Sequence, residues 1–284
     1  MKDSRQSVFH PQLPKGGFRS LICQSWFVAK VPFRGFRGKT SAIFILFFFL
    51  LSGCKTPEKP VAIYTIGDST MANKKPEVYP ETGWCQVLQQ YFNTAVIVKN
   101  HAVNGRSTKS FIDEGRWQAV FDSLQSGDYV FIQFGHNDQK IQDSTRYTSP
   151  FGTYSENLER FINETRAKRA TPVLFTSIVR RKFGDDGKLT DTHGEYPAAV
   201  RKVAQKMNVP LIDLQKLTET WVNSLGDEPS KAMFLWTEPS EKFPEGRKDD
   251  THLSETGAKE VARLAVEECK KQNLVFAKYL KQKN

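Results

Sequence analysis

The chain has 284 residues, of which 39% are hydrophobic and 25% charged, so it can form one large α/β domain or two small ones. This composition argues against a largely disordered chain, a multi-spanning membrane protein and a miniprotein held together by disulfides. The formal charge of +10 is concentrated in residues 1–53, which hold eight Lys and Arg against one acidic residue; the remainder holds 33 basic and 30 acidic residues. Because the folded part is close to neutral, we expect no nucleic-acid partner.

The first feature along the chain is a run of ten apolar residues from Ala42 to Leu51, preceded by basic residues. Ten residues rise only about 15 Å as a helix, so the run is too short for an ordinary transmembrane segment and is typical of an export signal. The following residues, Leu51-Ser52-Gly53-Cys54, resemble the bacterial lipobox, whose cysteine is lipidated and becomes the mature N-terminus. The alternative is a signal peptide with a coincidental cysteine.

The sequence predicts three parts of the chain. Residues 1–53 are an export leader, 54–60 a lipidated polar tether with two prolines, and 61–284 the folded domain. Lipidation at Cys54 predicts an exported protein of the bacterial cell envelope, held on the membrane by its N-terminal lipid and facing the periplasm or the cell surface.

Beyond the tether, short runs rich in β-branched or aromatic residues alternate with amphipathic segments. The predicted strands are Val61–Ile66, Val96–Val98, Tyr129–Phe134, Val173–Ile178 and Val209–Leu214. The predicted helices are Trp84–Phe92, Trp117–Leu124, Tyr154–Lys168, Tyr196–Met207 and Thr256–Lys270, the last with a possible extension to Leu280. This order predicts a single doubly wound α/β/α domain with a five-stranded parallel sheet, as in flavodoxin-like folds.

Ligands of such sheets bind beyond the carboxyl ends of the strands, so the residues after each predicted strand are candidates for chemistry. After the first strand comes Gly67-Asp68-Ser69, where a serine at a strand-to-helix turn can expose its hydroxyl and its backbone N–H. A helix N-cap explains the same residues equally simply. After the second strand comes Asn104-Gly105, either a turn that needs a positive φ or a glycine N–H that a ligand can approach.

Two further groups of polar residues complete the set. Gly135-His136-Asn137-Asp138 follows the third strand, and the Asn137 amide is either a turn residue or a hydrogen-bond donor in the crevice. Asp249-Asp250-Thr251-His252 precedes the last helix, and a carboxylate three residues before a histidine can orient its imidazole. An acidic helix start is the alternative. Each group alone is weak evidence for a catalytic site. The occurrence of all four in this order is hard to assign to chance.

Together the four groups resemble the blocks of the SGNH (GDSL-type) hydrolases: Gly-Asp-Ser, a glycine, Gly-x-Asn-Asp and Asp-x-x-His. The match covers nearly all of residues 61–272. More narrowly, the chain resembles rhamnogalacturonan acetylesterases in Thr82-Gly83-Trp84, Asn104–Ser107, Asp113–Trp117, Phe134–Gln139, His193–Pro197 and Lys248–Leu253. It departs from that pattern at Cys85, where a glycine or another small residue is expected.

The resemblance implies a role for each matched residue. Ser69 is the nucleophile, His252 is the base that later protonates the leaving oxygen, and Asp249 orients the imidazole. The N–H groups of Ser69 and Gly105 and the amide of Asn137 form an oxyanion hole. The acyl-enzyme is hydrolysed by water, so no metal or organic cofactor is expected.

Alternatives remain open for several residues. Asp250 can replace Asp249, and His193 with nearby Asp191 can replace His252, although a structural or substrate-contacting role is expected for His193. The run Arg180-Arg181-Lys182 is either a solvated charged surface or a site for a uronate carboxylate.

The tryptophans and the cysteines of the predicted domain each allow two interpretations. Trp84, Trp117 and Trp236 can stack on sugar rings or pack in the core. Cys85 and Cys269 can form a disulfide or remain buried thiols, and their spacing supports no metal site.

The function expected from the resemblance is removal of O-acetyl groups from a plant cell-wall polysaccharide, above all rhamnogalacturonan, with the acetylated glycan as substrate. One alternative is another GDSL esterase, acting on xylan, peptidoglycan, lipid or thioester substrates. The polar residues of 139–153 and 182–195 disfavour the acyl-chain enzymes among these. The other alternative is a non-catalytic glycan-binding surface lipoprotein, which does not need a nucleophile and base.

Overall fold

The computed structural model describes residues 59–281. The predicted leader, the lipobox and Cys54 lie outside the described residues. None of the helices within 59–281 has the length and apolar character that crossing a membrane requires.

The centre of the domain is a five-stranded sheet in the order β2-β1-β3-β4-β5, and every neighbouring pair is parallel. Its strands are β1 (Val61–Gly67), β2 (Val96–Asn100), β3 (Tyr129–Gln133), β4 (Thr171–Phe175) and β5 (Leu211–Ile212). A separate antiparallel hairpin follows, formed by β6 (Phe234–Thr237) and β7 (Arg247–Leu253). The predicted fold class, a doubly wound domain with five parallel strands, is confirmed.

Helices cover both faces of the sheet. They are α1 (Thr108–Asp113), α2 (Arg116–Ser123), α3 (Ser155–Ala167), α4 (Tyr196–Met207), α5 (Leu214–Leu225), α6 (Asp227–Ser230) and α7 (Glu255–Lys271). Alternate strand residues face opposite layers: Ile63 of β1 joins the core under α5 and α7, and Tyr64 joins the core under α2, α3 and α4. All five strand ends are therefore held between two buried apolar layers.

Three predicted boundaries are wrong. The helix expected over 84–92 is only a 3₁₀ turn, Leu88–Tyr91, because the Trp84 N–H bonds to Thr70 O and ties this segment to the turn after β1. The fourth strand, expected over 173–178, lies at Thr171–Phe175, and the fifth pairs only at Leu211–Ile212. The final helix agrees with its predicted bounds to within one residue at each end, and a separate 3₁₀ turn over Val275–Tyr279 stands in place of the extension to Leu280.

Helices α1, α5 and α6 and the β6–β7 hairpin were not predicted. Helix α5 begins after Asp213, whose side chain accepts the N–H of Lys216, and its apolar residues Leu214, Val222 and neighbours pack in the core. Strand β6 is short, and β7 has a single apolar residue, Leu253, so the hairpin gave no alternating pattern. The two cysteines are resolved as separate thiols, since Cys85 and Cys269 are both buried and unpaired.

Gly257 sets how closely α7 approaches the segment before β6. A Cβ at this position would overlap the backbone carbonyl of Met233, which also accepts the N–H of Ser254, the N-cap of α7. We expect Gly257→Ala to lower the free energy of unfolding by about 1–3 kcal/mol, as overpacking does. Urea unfolding measures this, with Thr256→Ala on the exposed side of the same turn as control; equal stability of the two variants would contradict the close approach.

Candidate active site

The carboxyl end of β1 and the end of the β6–β7 hairpin meet at one edge of the sheet. The Ser69 Oγ lies 2.9 Å from His252 Nε2, and His252 Nδ1 lies 2.7 Å from Asp249 Oδ2. These three residues are 183 and three positions apart in the sequence. A hydroxyl, an imidazole and a carboxylate thus form one continuous hydrogen-bonded chain.

The turn that carries Ser69 is held by a buried polar network. The Asp68 Oδ1 accepts bonds from both the N–H (2.9 Å) and the hydroxyl (2.8 Å) of Thr70. The Thr70 hydroxyl in turn accepts from Gln133 at the end of β3, and Gln133 accepts from the Trp84 indole. This network fixes the position of Ser69, which is 9% exposed and so is still reached by solvent.

Asp249 holds His252 through both carboxylate oxygens. Its Oδ1 accepts the backbone N–H groups of Thr251 (2.8 Å) and His252 (3.0 Å), while its Oδ2 faces the ring. Partial burial raises the pKa of the Asp249 carboxyl, but the bonds from the His252 ring and from the backbone outweigh burial and hold the pKa well below its usual range. The carboxylate therefore stays ionised beside the imidazole.

The alternative carboxylate, Asp250, is held elsewhere. Its Oδ1 accepts from Arg181 Nη1 (2.8 Å) and from the Trp236 indole (2.8 Å), and the Arg181 guanidinium also lies over the Trp236 ring. The structure thus brings Asp249 to the imidazole and ties Asp250 to a separate cluster. Trp236 belongs to that cluster, whereas Trp84 and Trp117 are buried in the core.

Three hydrogen-bond donors lie in the segments that follow β1, β2 and β3. Within residues 59–281 the backbone N–H groups of Ser69 and Gly105 donate to no other group, and Gly105 has a φ of +75° that favours glycine. The Asn137 amide donates one bond to Arg106 O (3.1 Å), which fixes its plane, and its second N–H stays available. Such an arrangement can bind a negatively charged oxygen.

Behind Asn137 lies a pair of buried histidines. His193 Nε2 and His136 Nδ1 are 3.1 Å apart, and both residues are 3% exposed. Burial, with a smaller effect of Arg180, lowers the pKa of His193 to about 3. Burial, His193 and Arg180 together also hold the pKa of His136 well below its usual value, so both rings are neutral at neutral pH. Asp191 bonds the backbone N–H of His193, not its ring, so His193 lacks the carboxylate partner that a second base would use.

Asp138 connects the same loop to α1. Its Oδ1 accepts from the N–H (2.9 Å) and hydroxyl (2.6 Å) of Thr108 and from the hydroxyl of Thr148 (2.9 Å). Burial raises the pKa of the Asp138 carboxyl to about 7, against the opposing effect of these bonds. Sequence reasoning named Asp138 and Trp84 but missed their supporting roles, and it missed Gln133 altogether. The one signal for Gln133 was an amide at the end of an otherwise apolar strand. No cluster of three potential metal ligands occurs between residues 59 and 281.

The chain is similar to known proteins over most of its folded part. Residues 65–260 match the GDSL-like Lipase/Acylhydrolase family model. The chain is 44% identical over 212 residues to the rhamnogalacturonan acetylesterase RhgT of Bacillus subtilis (strain 168), covering 74% of this chain and 90% of that protein. It is 25% identical over 191 residues to the uncharacterized lipoprotein YqeF of the same organism, covering 60% of this chain and 77% of YqeF. The crystal structure of YxiM from Bacillus subtilis superimposes with a TM-score of 0.66 at 28% identity, covering 76% of this chain and 58% of that one.

The raised pKa of Asp138 predicts a pH-dependent stability. Between pH 4 and 7 the folded state keeps a proton that the unfolded state releases, so the stabilising contribution is complete below about pH 4 and lost as the pH rises through about 7. Asp138→Asn keeps an oxygen acceptor and removes the titration. We expect its free energy of unfolding to fall less than that of the wild type between pH 5 and 8, measured by urea unfolding. Asp122→Asn, an exposed change on α2, serves as control; the same pH dependence in all three proteins would refute the prediction.

Proposed function

Because the chain belongs to the GDSL-like lipase/acylhydrolase family, we propose that it is a serine esterase that removes O-acetyl groups from rhamnogalacturonan. The observation that carries the proposal is the hydrogen-bonded chain from Ser69 through His252 to Asp249, with distances of 2.9 and 2.7 Å. The membership and the named relatives support a carboxylic ester hydrolase that acts on an acetylated carbohydrate. The 44% identity to RhgT supports the choice of glycan.

The first half of the proposed reaction forms an acetyl-enzyme. His252 Nε2 accepts the proton of the Ser69 hydroxyl as Oγ attacks the acetyl carbonyl carbon. The negative charge on the carbonyl oxygen is stabilised by the N–H groups of Ser69 and Gly105 and by the Asn137 amide. Asp249 stabilises the imidazolium that forms. The tetrahedral intermediate then collapses, and the imidazolium protonates the departing sugar oxygen.

The second half releases acetate. Water enters, His252 removes one of its protons, and the hydroxide attacks the acetyl-Ser69 ester with the oxyanion in the same place. Collapse of the second intermediate returns the proton to Ser69 Oγ and frees acetate. All acid and base steps use protein groups and water.

A polar surface next to Gly105 supports a carbohydrate rather than a long acyl chain. A cavity of about 460 Å³ next to Gly105 is lined mainly by charged and hydroxyl residues, among them Arg106, Lys109, Ser144 and Arg146. Sugars match such hydrogen-bonding groups, whereas a fatty acyl chain needs an apolar slot.

The catalytic assignment predicts a graded loss of activity. Against acetylated rhamnogalacturonan, Ser69→Ala should lower kcat by about 10⁴-fold or more, because the nucleophile is absent. Asp249→Asn should lower kcat by about 10³- to 10⁴-fold, because the imidazole loses its orienting charge. Asp250→Asn is the matched control and should keep kcat within about tenfold.

Acetate release measured by an enzyme-coupled assay gives these values, with circular dichroism to verify folding. Equal release by wild type and Ser69→Ala would refute the serine mechanism. Faster release by the wild type from acetylated xylan or peptidoglycan would refute the choice of glycan.

We also propose that Cys54 is lipidated and holds the enzyme at the bacterial cell envelope. Support comes from Leu51-Ser52-Gly53-Cys54 behind the apolar run and, more weakly, from the similarity to a protein named a lipoprotein. A full-length chain expressed in bacteria should incorporate a labelled fatty acid and sediment with membranes. Cys54→Ser should abolish both, while Cys23→Ser, inside the leader, should change neither. Labelling that survives in Cys54→Ser would contradict the assignment.

A further inference from the structure

The helix ends and connections that lead into the strands of the central sheet carry a strong excess of positive charge. They are residues 59–60, 90–95, 122–128, 166–170 and 206–210, each followed by a strand, and residues 270–281 at the end of α7. Together they hold nine Lys and Arg against two acidic residues, Asp122 and Asp128. Asp128 is buried and accepts the backbone N–H groups of Ala62 and Gln125. Residues 54–284 as a whole have a surplus of only three positive charges, so the rest of that part is net negative.

Hydrogen bonds join these segments into one surface. The bonds between backbone groups are Val61 N–H to Ala95 O (2.9 Å), Gly127 N–H to Arg169 O (3.0 Å) and Asn93 N–H to Tyr279 O (3.0 Å). The side chain of Lys59 also donates to the side chain of Gln125. Because all neighbouring strands are parallel, this surface lies at the amino ends of the sheet. We call it the amino-end face.

Several cations of the amino-end face are available to a partner. The nine are Lys59, Arg166, Lys168, Arg169, Lys206, Lys270, Lys271, Lys278 and Lys281. Arg169, Lys270 and Lys281 are exposed, and among residues 59–281 no carboxylate forms an ion pair with any of these three. Val275 is 63% exposed and belongs to the same face. Cations beside an exposed apolar side chain match the surface of a bilayer that contains anionic lipids.

The amino-end face lies at the opposite end of the strands from the candidate active site. Strand β1 begins at this face with Val61 and ends at Gly67, and Ser69 follows two residues later. Seven strand residues span about 20 Å, so the cations of the face do not contact the reacting ester. A flat partner bound to this face leaves the catalytic end of the domain open to solution.

The predicted lipid anchor would hold the domain by this same face. Cys54 is seven residues before Val61, and seven fully extended residues reach at most about 25 Å. A lipid on Cys54 thus keeps the amino-end face close to the bilayer. Anionic headgroups attract cations within about one Debye length, roughly 8 Å at physiological salt, and the short tether brings the face into that range.

We propose that the amino-end face binds the anionic lipid headgroups of the membrane that holds the enzyme, which turns Ser69 away from the bilayer. This inference rests on the proposed lipidation of Cys54 and adds an orientation to the anchored enzyme. Each cation near an anionic surface raises the affinity about fivefold, and salt screens the attraction. The face alone therefore binds reversibly at low salt, and stable attachment still requires the lipid.

The first test measures binding to vesicles without the anchor. Both apolar layers of the sheet are formed by residues 61–280, so a chain of residues 55–284 carries its own core. At low ionic strength this chain should sediment with phosphatidylcholine vesicles that contain about 30% phosphatidylglycerol, and about 0.5 M salt should release it. Vesicles of phosphatidylcholine alone should not bind it.

Two triple variants with the same change of charge locate the binding surface. Arg169→Asn with Lys270→Gln and Lys281→Gln should bind anionic vesicles about 100-fold more weakly. Asparagine is used at position 169 because Arg169 has a φ of +57°. Circular dichroism and hydrolysis of p-nitrophenyl acetate should be unchanged, since these residues are far from Ser69.

The control variant removes three exposed lysines from the connections after β1 and β4, at the catalytic end of the sheet. Lys75→Gln with Lys182→Gln and Lys188→Gln should bind anionic vesicles within about threefold of the wild type, because these charges lie away from the headgroups. An equal loss of affinity in both triple variants would overturn the inference. Absence of binding to anionic vesicles would also overturn it, whatever other polyanion the face binds.

The second test measures orientation with a fluorophore on a single introduced cysteine. Val275→Cys labels the amino-end face and Ile141→Cys the loop after β3; both positions are similarly exposed, at 63% and 65%. The native thiols Cys85 and Cys269 are buried. Lipids with a nitroxide on the headgroup should quench the label at position 275 at least about twofold more strongly, because the cations lie at that end.

Equal quenching at the two positions, or stronger quenching at position 141, would contradict the proposed orientation. Neither vesicle experiment uses the anchor, so both are independent of whether Cys54 is lipidated. Fatty-acid labelling that survives in Cys54→Ser would refute the lipidation and leave the vesicle results as they are.

Discussion

The site depends on one hydrogen bond between distant parts of the chain, from the Ser69 hydroxyl to the His252 imidazole. Ser69 is placed by the end of a central parallel strand, and His252 by a hairpin that lies outside the main sheet. The hairpin is joined to the first half of the chain by Thr82 N–H to Leu253 O (3.0 Å). Any shift of the hairpin would lengthen the bond to Ser69, so the packing of the hairpin against α7 is part of the site's geometry.

The polar groups behind the site are buried and not all satisfied. Asp68 Oδ2, Asp138 Oδ2 and His136 Nε2 have no hydrogen-bond partner within residues 59–281. Leaving such atoms unpaired costs stability, and the neutral states favoured for His136 and His193 reduce that cost. The bonds that these groups do make fix the loop that carries Asn137 before a substrate binds. Dipoles that are already fixed stabilise charge without having to reorganise. The networks around Asp68 and Asp138 therefore hold rigid the segments that carry the Ser69 N–H and the Asn137 amide.

The sequence predicted the parallel sheet well because its five strands are short and rich in apolar residues and, from β2 onward, are separated by helices. It also indicated Ser69, Gly105, Asn137 and His252, because each lies just after a strand or before the closing helix. It could not place the β6–β7 hairpin, whose seven-residue second strand reads Arg-Lys-Asp-Asp-Thr-His-Leu and has no apolar alternation. Nor could it resolve Asp249 from Asp250, since the choice depends on partners contributed by residues about 70 positions away.

The adjacent arginines Arg180 and Arg181 have different hydrogen-bond partners, and those of Arg181 decide the position of Asp250. Arg181 pairs with Asp250 and lies over Trp236, which withdraws that carboxylate from competition for His252. Arg180 forms no ion pair within residues 59–281 and bonds instead to Thr192 and to the His136 carbonyl. The buried Asp68 bonds to Thr70 through its Oδ1. Three neighbouring carboxylates thus have separate partners: Asp249 bonds to the imidazole, Asp250 to Arg181 and Trp236, and Asp68 to Thr70 in the Ser69 turn.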